Sequence, residues 1–261
     1  MTTFPAQVLS FDDQLAHIAS RSEALRTAAA AAGPLARVPS CPDWSVADLV
    51  THVGEVHLFW SAVVSAGPAS GPPDESLVGD RTPHGDLLQW SATATARLIG
   101  ALQEAGPDRG CWTWWESAGA PMTAGAVARH QVQEAAVHAL DAQLAAGRPQ
   151  ALPAAVAADG VGEHLTVELP TNGNWPHDPV RLVLDAGDGG GCWLVDLGRA
   201  GVRVSPLTDP GAAVDAAPAA TVTANPADLV LAFYRRPGHG PVHVSGDAKT
   251  FERLLEWPNL D

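Results

Sequence analysis

Up to Gly147 the apolar positions recur at helical spacing; beyond it they break into short runs separated by Gly, Asp and Pro. Ser10 is placed to cap a helix that runs to Ala32. Leu15, Ile18 and Leu25 form its stripe and Gly33-Pro34 stops it. A second helix starts at Ser45, where Ser45 and Asp48 give the Ser-x-x-acid cap signal. Its apolar residues Val46, Leu49, Val50, Val53, Val56 and Phe59 keep the 3.6 period until Ala66-Gly67-Pro68. A third spans about His84 to Ala105, with Leu87, Leu88, Leu98, Ile99 and Leu102. A fourth spans about Thr123 to Ala146 and ends at Gly147, a natural left-handed cap. Four helices of about 20 residues predict a bundle. The Pro- and Gly-rich stretch Gly67–Pro83 and the Trp-rich stretch Cys111–Pro121 are its long connections, of the size that often borders a site.

The remainder reads as mixed. Val180–Leu184, Cys192–Leu197, Val202–Ser205, Ala220–Ala224 and Val242–Ser245 predict strands, Asn225–Arg235 a helix with an Asn cap, and Ala248–Trp257 a closing helix. Gly147–Pro153 is the linker. The expectation is therefore an α+β chain of two domains: residues 1–149 as a four-helix bundle, residues 150–261 as a small mixed α+β domain.

Charge narrows the partners. Fifteen Lys and Arg against 29 Asp and Glu give a net charge of −14. Such a chain repels phosphate backbones, which argues against nucleic acid. No apolar run reaches the roughly 18–20 residues of a membrane span, and Met1–Gln14 lacks the pattern of a signal peptide. The three cysteines, Cys41, Cys111 and Cys192, have no paired spacing, so the expected compartment is a reducing cytoplasm. The default expectation for oligomeric state is a monomer.

The chemistry concentrates on the fourth helix. Glu134 and His138 stand one turn apart on one face, where a carboxylate and an imidazole can hold the same divalent ion. Asp141 lies three residues on, in reach of the imidazole's other nitrogen. His130 precedes Glu134 by one turn. Alone, this spacing equally suits an exposed polar pair. His52 on the second helix lies near the apolar stripe and is a candidate third ligand, although a lone histidine there also suits a hydrogen-bonded core position. Bundle cores are where such carboxylate–histidine sites are built, and two imidazoles with one carboxylate leave zinc an open position. Glu55 competes for a ligand or base role. His57 lies about 140° around the helix from His52 and is poorly placed to share the ion.

Cys41-Pro-Asp-Trp44-Ser45-Val-Ala-Asp48-Leu-Val-Thr-His52 and Glu134-Ala-Ala-Val-His138-Ala-Leu-Asp141-Ala resemble two segments of the mycothiol-dependent maleylpyruvate isomerase family, in the family's order. A looser likeness covers Leu231–Pro237 and Val242–Asp247. The resemblance implies a DinB-like four-helix domain joined to a sterol-carrier-like α+β domain. It implies that His52, Glu134 and His138 bind Zn²⁺ or another divalent metal, and that mycothiol is the thiol cofactor. It also implies that Arg235 reaches the substrate, with Phe233 and Tyr234 standing where the family has Trp and Gly, and with Arg236 as its neighbour. The implied chemistry is addition of a metal-bound thiolate to a small electrophilic, carboxylate-bearing substrate, by an isomerase or a thiol S-transferase. Arginine's fork suits the carboxylate. The alternatives are a hydrolase using zinc-bound water on the same scaffold, and a non-enzymatic, metal-stabilised small-molecule binding protein. No GxSxG motif suggests a protein nucleophile. The Trp112-Thr-Trp114-Trp115 cluster either walls a pocket or packs the bundle end, Gly187–Gly191 reads as a hairpin turn, and His239 and His243 read as surface residues.

Overall fold

The computed structural model describes residues 9–187, 189–208, 217–238 and 240–257, so His239 lies outside the described residues. The chain forms two compact units, one built from 9–116 and 121–152, the other from 117–120 and from 153 onward.

The first unit is the bundle. Its helices are α1 (Phe11–Ala32), α2 (Val46–Ala66), α4 (Leu87–Ala105) and α5 (Ala124–Ala145), with a short α3 (Glu75–Val78) inside the long connection. α1 packs on α5 and α2 on α4, with further contact between α1 and α4 and between α2 and α5. The caps follow the sequence. The Ser10 hydroxyl accepts from Asp13 N, and Ser45 with Asp48 closes a reciprocal capping box. Asp86 caps α4, starting it three residues later than the periodicity predicts, and Thr123 caps α5. Leu25, Leu49, Leu98 and Leu102 are fully buried, and each such side chain contributes roughly 1.5–3 kcal/mol. α5 differs from its neighbours, because its buried alanines and valines alternate with His130, Gln131, Gln133, His138 and Asp141, which are buried too.

One element of this unit is not predicted by the sequence pattern. Arg37–Val38 (β1) and Cys41–Ser45 (β2) form an antiparallel hairpin that feeds directly into α2, where the periodicity suggests only a helix lead-in. Val38 is fully buried in the helical core, and Val46 N donates to Ala36 O at 2.8 Å, so the hairpin is tied to the start of α2.

The second unit opens with α6 (Ala154–Glu163), a π turn (His164–Glu168) and α7 (Leu169–Thr171). This helical stretch is also absent from the sequence expectation. Gly160 and Gly162 weaken its propensity, and burial along most of its length leaves no amphipathic stripe. The five strands are those the alternation predicts: β3 (Val180–Asp185), β4 (Cys192–Gly198), β5 (Gly201–Leu207), β6 (Ala220–Thr223) and β7 (His243–Gly246). They form one sheet in the order β5-β4-β3-β6-β7, parallel only between β3 and β6. Leu182, Leu184, Val195, Leu197, Ala220 and Val222 face its core. α8 (Pro226–Phe233) begins at an Asn225 cap, and α9 (Ala248–Glu256) packs on β6 and β7. The Gly-rich run makes the β3–β4 turn, as expected, with Gly187, Gly189 and Gly191 at φ of 64°, 90° and 81°. A helical region followed by a mixed sheet matches the two-part α+β architecture. Among the described residues no helix is long and apolar enough to cross a membrane.

α2 and α4 approach closely because Gly54 leaves a notch for the Trp90 ring; a Cβ at Gly54 would lie 2.1 Å from that ring. Alanine normally stabilises a helix over glycine by about 1 kcal/mol. Here overpacking costs about 1–3 kcal/mol, so Gly54→Ala is expected to lower the urea midpoint instead of raising it.

Candidate metal centre

His52 comes from α2; Glu134 and His138 come from consecutive turns of α5. The structure brings all three together. His52 Nε2 lies 3.1 Å from Glu134 Oε1, and His138 Nε2 lies 3.4 Å from the same oxygen. One ligand atom from each falls within 4.8 Å of the others. The imidazoles meet edge to face, with centroids 5.2 Å apart. Glu55, the competing ligand, is not a member of this group.

The electrostatics are those of a carboxylate shared by two imidazoles. Burial by itself would raise the Glu134 pKa, but His138 and His52 outweigh it and hold the carboxyl well below its ordinary range. Burial likewise pushes the His138 imidazole down, but the Glu134 carboxylate and the hydrogen bond to Asp141 overcome it and lift the pKa to about 9. Asp141 is fully buried, and its Oδ2 lies 2.8 Å from His138 Nδ1. An ionised carboxylate only accepts, so Nδ1 carries a proton toward Asp141, and Nε2 is the nitrogen turned to Glu134. Two imidazole nitrogens and a carboxylate oxygen are a donor set suited to zinc or a similar divalent metal.

Two further residues belong to this neighbourhood. The Trp44 ring, at the end of β2, lies 4.8 Å from the His52 ring and 6.1 Å from the His138 ring, centroid to centroid. Its place in the Cys41-Pro-Asp-Trp44-Ser45 motif, just before the Ser45 cap, is the sequence signal that points to it. His57 stands apart, as its angle around α2 implies. It is fully buried, 3.2 Å from Thr95 Oγ1, and desolvation lowers its pKa to about 4.

The other candidates fall elsewhere. His130 is ringed by Trp60, Trp114 and Trp115, with centroids 5.3–6.3 Å away. The Trp-rich connection thus packs on α2 and α5 of its own unit, and Trp115 Nε1 donates to Pro121 O. Arg235 has a left-handed backbone, φ 53°, and its guanidinium donates to the carbonyls of Leu255 and Glu256 at 2.9 and 3.3 Å. It therefore complements the C-terminal end of α9. Arg236 Nη1 donates to Tyr234 O. Burial raises the Cys111 thiol to about 11, far from nucleophilic range.

The family model described as the mycothiol maleylpyruvate isomerase N-terminal domain matches residues 15–143, the segment that carries all three residues of the centre. The chain is similar to the crystal structure of the mycothiol-dependent maleylpyruvate isomerase, at 15% identity and a TM-score of 0.59, over 92% of this chain and 95% of that one. A mutant of that enzyme gives the same identity and coverage, with a TM-score of 0.60. At such identity the likeness speaks for the fold alone. A search of the curated proteins finds no match.

The raised His138 pKa carries a sign for stability. A group whose folded pKa exceeds its unfolded value stabilises fully below the latter and loses that contribution as pH climbs through the former. The metal-free protein is therefore expected to lose about 3 kcal/mol between the ordinary histidine pKa and about 9. Urea titrations across that window read the loss, and His138→Gln should flatten it.

Proposed function

We propose, for a chain that belongs through residues 15–143 to the mycothiol maleylpyruvate isomerase N-terminal domain family, a mycothiol-dependent, metal-assisted isomerase acting on a small electrophilic substrate that bears a carboxylate. The observation that carries this reading is the convergence of His52 with Glu134 and His138 from helices 82 residues apart.

His52 Nε2, Glu134 Oε1 and His138 Nε2 would hold the divalent ion. When bound, that ion supplies a Lewis-acid centre that lowers the pKa of a coordinated thiol, so the thiolate is available at neutral pH. The chain's own residues do the rest. Glu134 balances part of the ion's charge, and Asp141 fixes the His138 tautomer so that Nε2 faces the ion. The Trp44 ring lies beside both imidazoles and gives them an apolar neighbour. With three protein ligands a position stays open, as catalytic sites require and structural ones do not. The reaction class is isomerisation of an electron-poor double bond by reversible thiol addition, and it needs no protein nucleophile. From the family resemblance alone, Arg235 is assigned the planar fork for the substrate carboxylate, a role for which its guanidinium would have to leave the Leu255 and Glu256 carbonyls.

Elemental mass spectrometry on protein purified without a chelating tag is expected to find about one zinc per chain, from the one ligand set proposed. His52→Ala should lose most of that metal and with it thiol-dependent isomerisation of maleylpyruvate. Full metal content in His52→Ala would sink the reading. Arg235→Ala is expected to keep the metal and lower kcat/KM by about 10–100-fold, with Arg235→Lys recovering only part because it lacks the fork. Unchanged turnover in Arg235→Ala would remove it from the substrate site.

A further inference from the structure

Ser40 stands outside the residues so far assigned to the centre, at the tip of the β1–β2 hairpin between the paired residues Val38 and Cys41. Its hydroxyl donates to Asp141 Oδ1 at 2.5 Å, across 101 residues of chain. The other oxygen of the same carboxylate, Oδ2, accepts from His138 Nδ1. The Asp141 carboxylate is thus gripped at both ends by groups from different elements, one on the hairpin and one on its own helix.

That double grip has a consequence for geometry. The terminal torsion of an aspartate is soft, with a broad distribution, so a single hydrogen bond leaves the carboxylate free to swing. A second bond from a fixed point removes the swing. The hairpin is such a point, since Val38 is buried in the bundle core and the backbone bond from Val46 to Ala36 ties the strands to α2. The same hairpin carries Trp44, whose ring lies near both His52 and His138. One short element therefore touches the outer side of both imidazoles.

We propose that Ser40 is a positioning residue of the centre: through Asp141 it holds His138 in the rotamer and tautomer that present Nε2 to Glu134 and His52, and the hairpin is the frame from which it acts. The inference rests on the metal reading above but concerns a group that touches neither metal nor substrate. Its role is to keep affinity high by preorganising one ligand. Partners at this distance from a metal typically change affinity by about 10–100-fold.

The test uses the full chain and three proteins: wild type, Ser40→Ala and Ser40→Thr. The alanine removes one exchangeable hydroxyl from a half-buried turn and leaves the core intact; the threonine restores the donor. Zinc affinity is read by competition with a chromogenic chelator. In parallel, the Nδ1 proton of His138 is read in the metal-free state by ¹H–¹⁵N spectroscopy with labelled histidine, and thermal melting checks the fold. Expected are zinc affinity about 10–100-fold weaker in Ser40→Ala, exchange broadening of the His138 Nδ1 proton, and recovery of both in Ser40→Thr. Zinc affinity in Ser40→Ala within about twofold of wild type, well short of the usual effect, would overturn the proposal. So would a loss that Ser40→Thr fails to recover. If the wild-type chain takes up no zinc, the metal reading falls, and the Nδ1 proton alone decides: a sharp signal persisting in Ser40→Ala overturns the role of Ser40.

Discussion

The centre depends on one carboxylate that is largely withdrawn from water. Burial alone would neutralise Glu134, and stranding an ionised carboxylate in a bundle costs several kcal/mol. Two imidazoles from two helices share its Oε1 and keep it charged. The register of α2 against α5 is therefore set by more than apolar packing. Any slide that parts His52 from Glu134 removes one of the two imidazoles that hold this carboxylate charged and leaves His138 alone to do so. Alanine-rich packing around α5 permits the close approach that this pairing needs, with Ala135, Ala136, Ala139 and Ala142 all buried beside the polar positions.

Three buried histidines show how local surroundings decide what a residue does. His57 and His164 are both driven down to about 4 by desolvation. His57 rests beside a neutral threonine hydroxyl, and His164 stacks on Phe233 with ring centroids 4.4 Å apart. Each is held as a neutral ring and fills space in its core. His138 is as deeply placed, yet two carboxylates meet its two nitrogens and lift it to about 9. Burial with at most one distant carboxylate, as at His164 with Glu168 3.7 Å away, leaves a packing residue; burial between two carboxylates at hydrogen-bond range gives a ring that keeps its charge.

Much of this was legible in the amino-acid order, and the failures have physical causes. Helix ends were readable because caps are local: Ser10, Ser45, Thr123 and Asn225 each accept from a backbone N–H three residues on. Strands were readable because β3 to β7 alternate or are flanked by turn residues. The hairpin at 37–45 was not, since two- and five-residue strands carry too little periodicity, and Pro42-Asp43 reads as loop. The helix at 154–163 hid for the opposite reason, being buried along most of its length. At the centre, i,i+4 spacing identified Glu134 with His138, and the apolar flank identified His52. Ser40 could not be read, because its partner lies 101 residues away and no local pattern records such a bond. Trp44 was visible as part of a motif, but its contact with two imidazoles comes from tertiary placement alone.

The charge of the whole chain gives the centre its selectivity in sign. At −14, the protein attracts divalent cations and repels small carboxylates alike. A carboxylate-bearing substrate can be held only where positive charge is supplied locally. Under the proposed function that charge comes from a divalent cation held by His52, Glu134 and His138. Glu134 would cancel only part of a divalent ion's charge, and the imidazoles, once they give up their protons to bind it, cancel none. The remaining charge of about +1 is what a thiolate needs in order to exist at neutral pH. A centre with a second carboxylate, as Glu55 would have provided, would spend that charge on the protein and leave none for the thiol. Under the proposed function, the three-residue composition of the site, rather than its depth, is what would leave charge for a thiol on so acidic a chain.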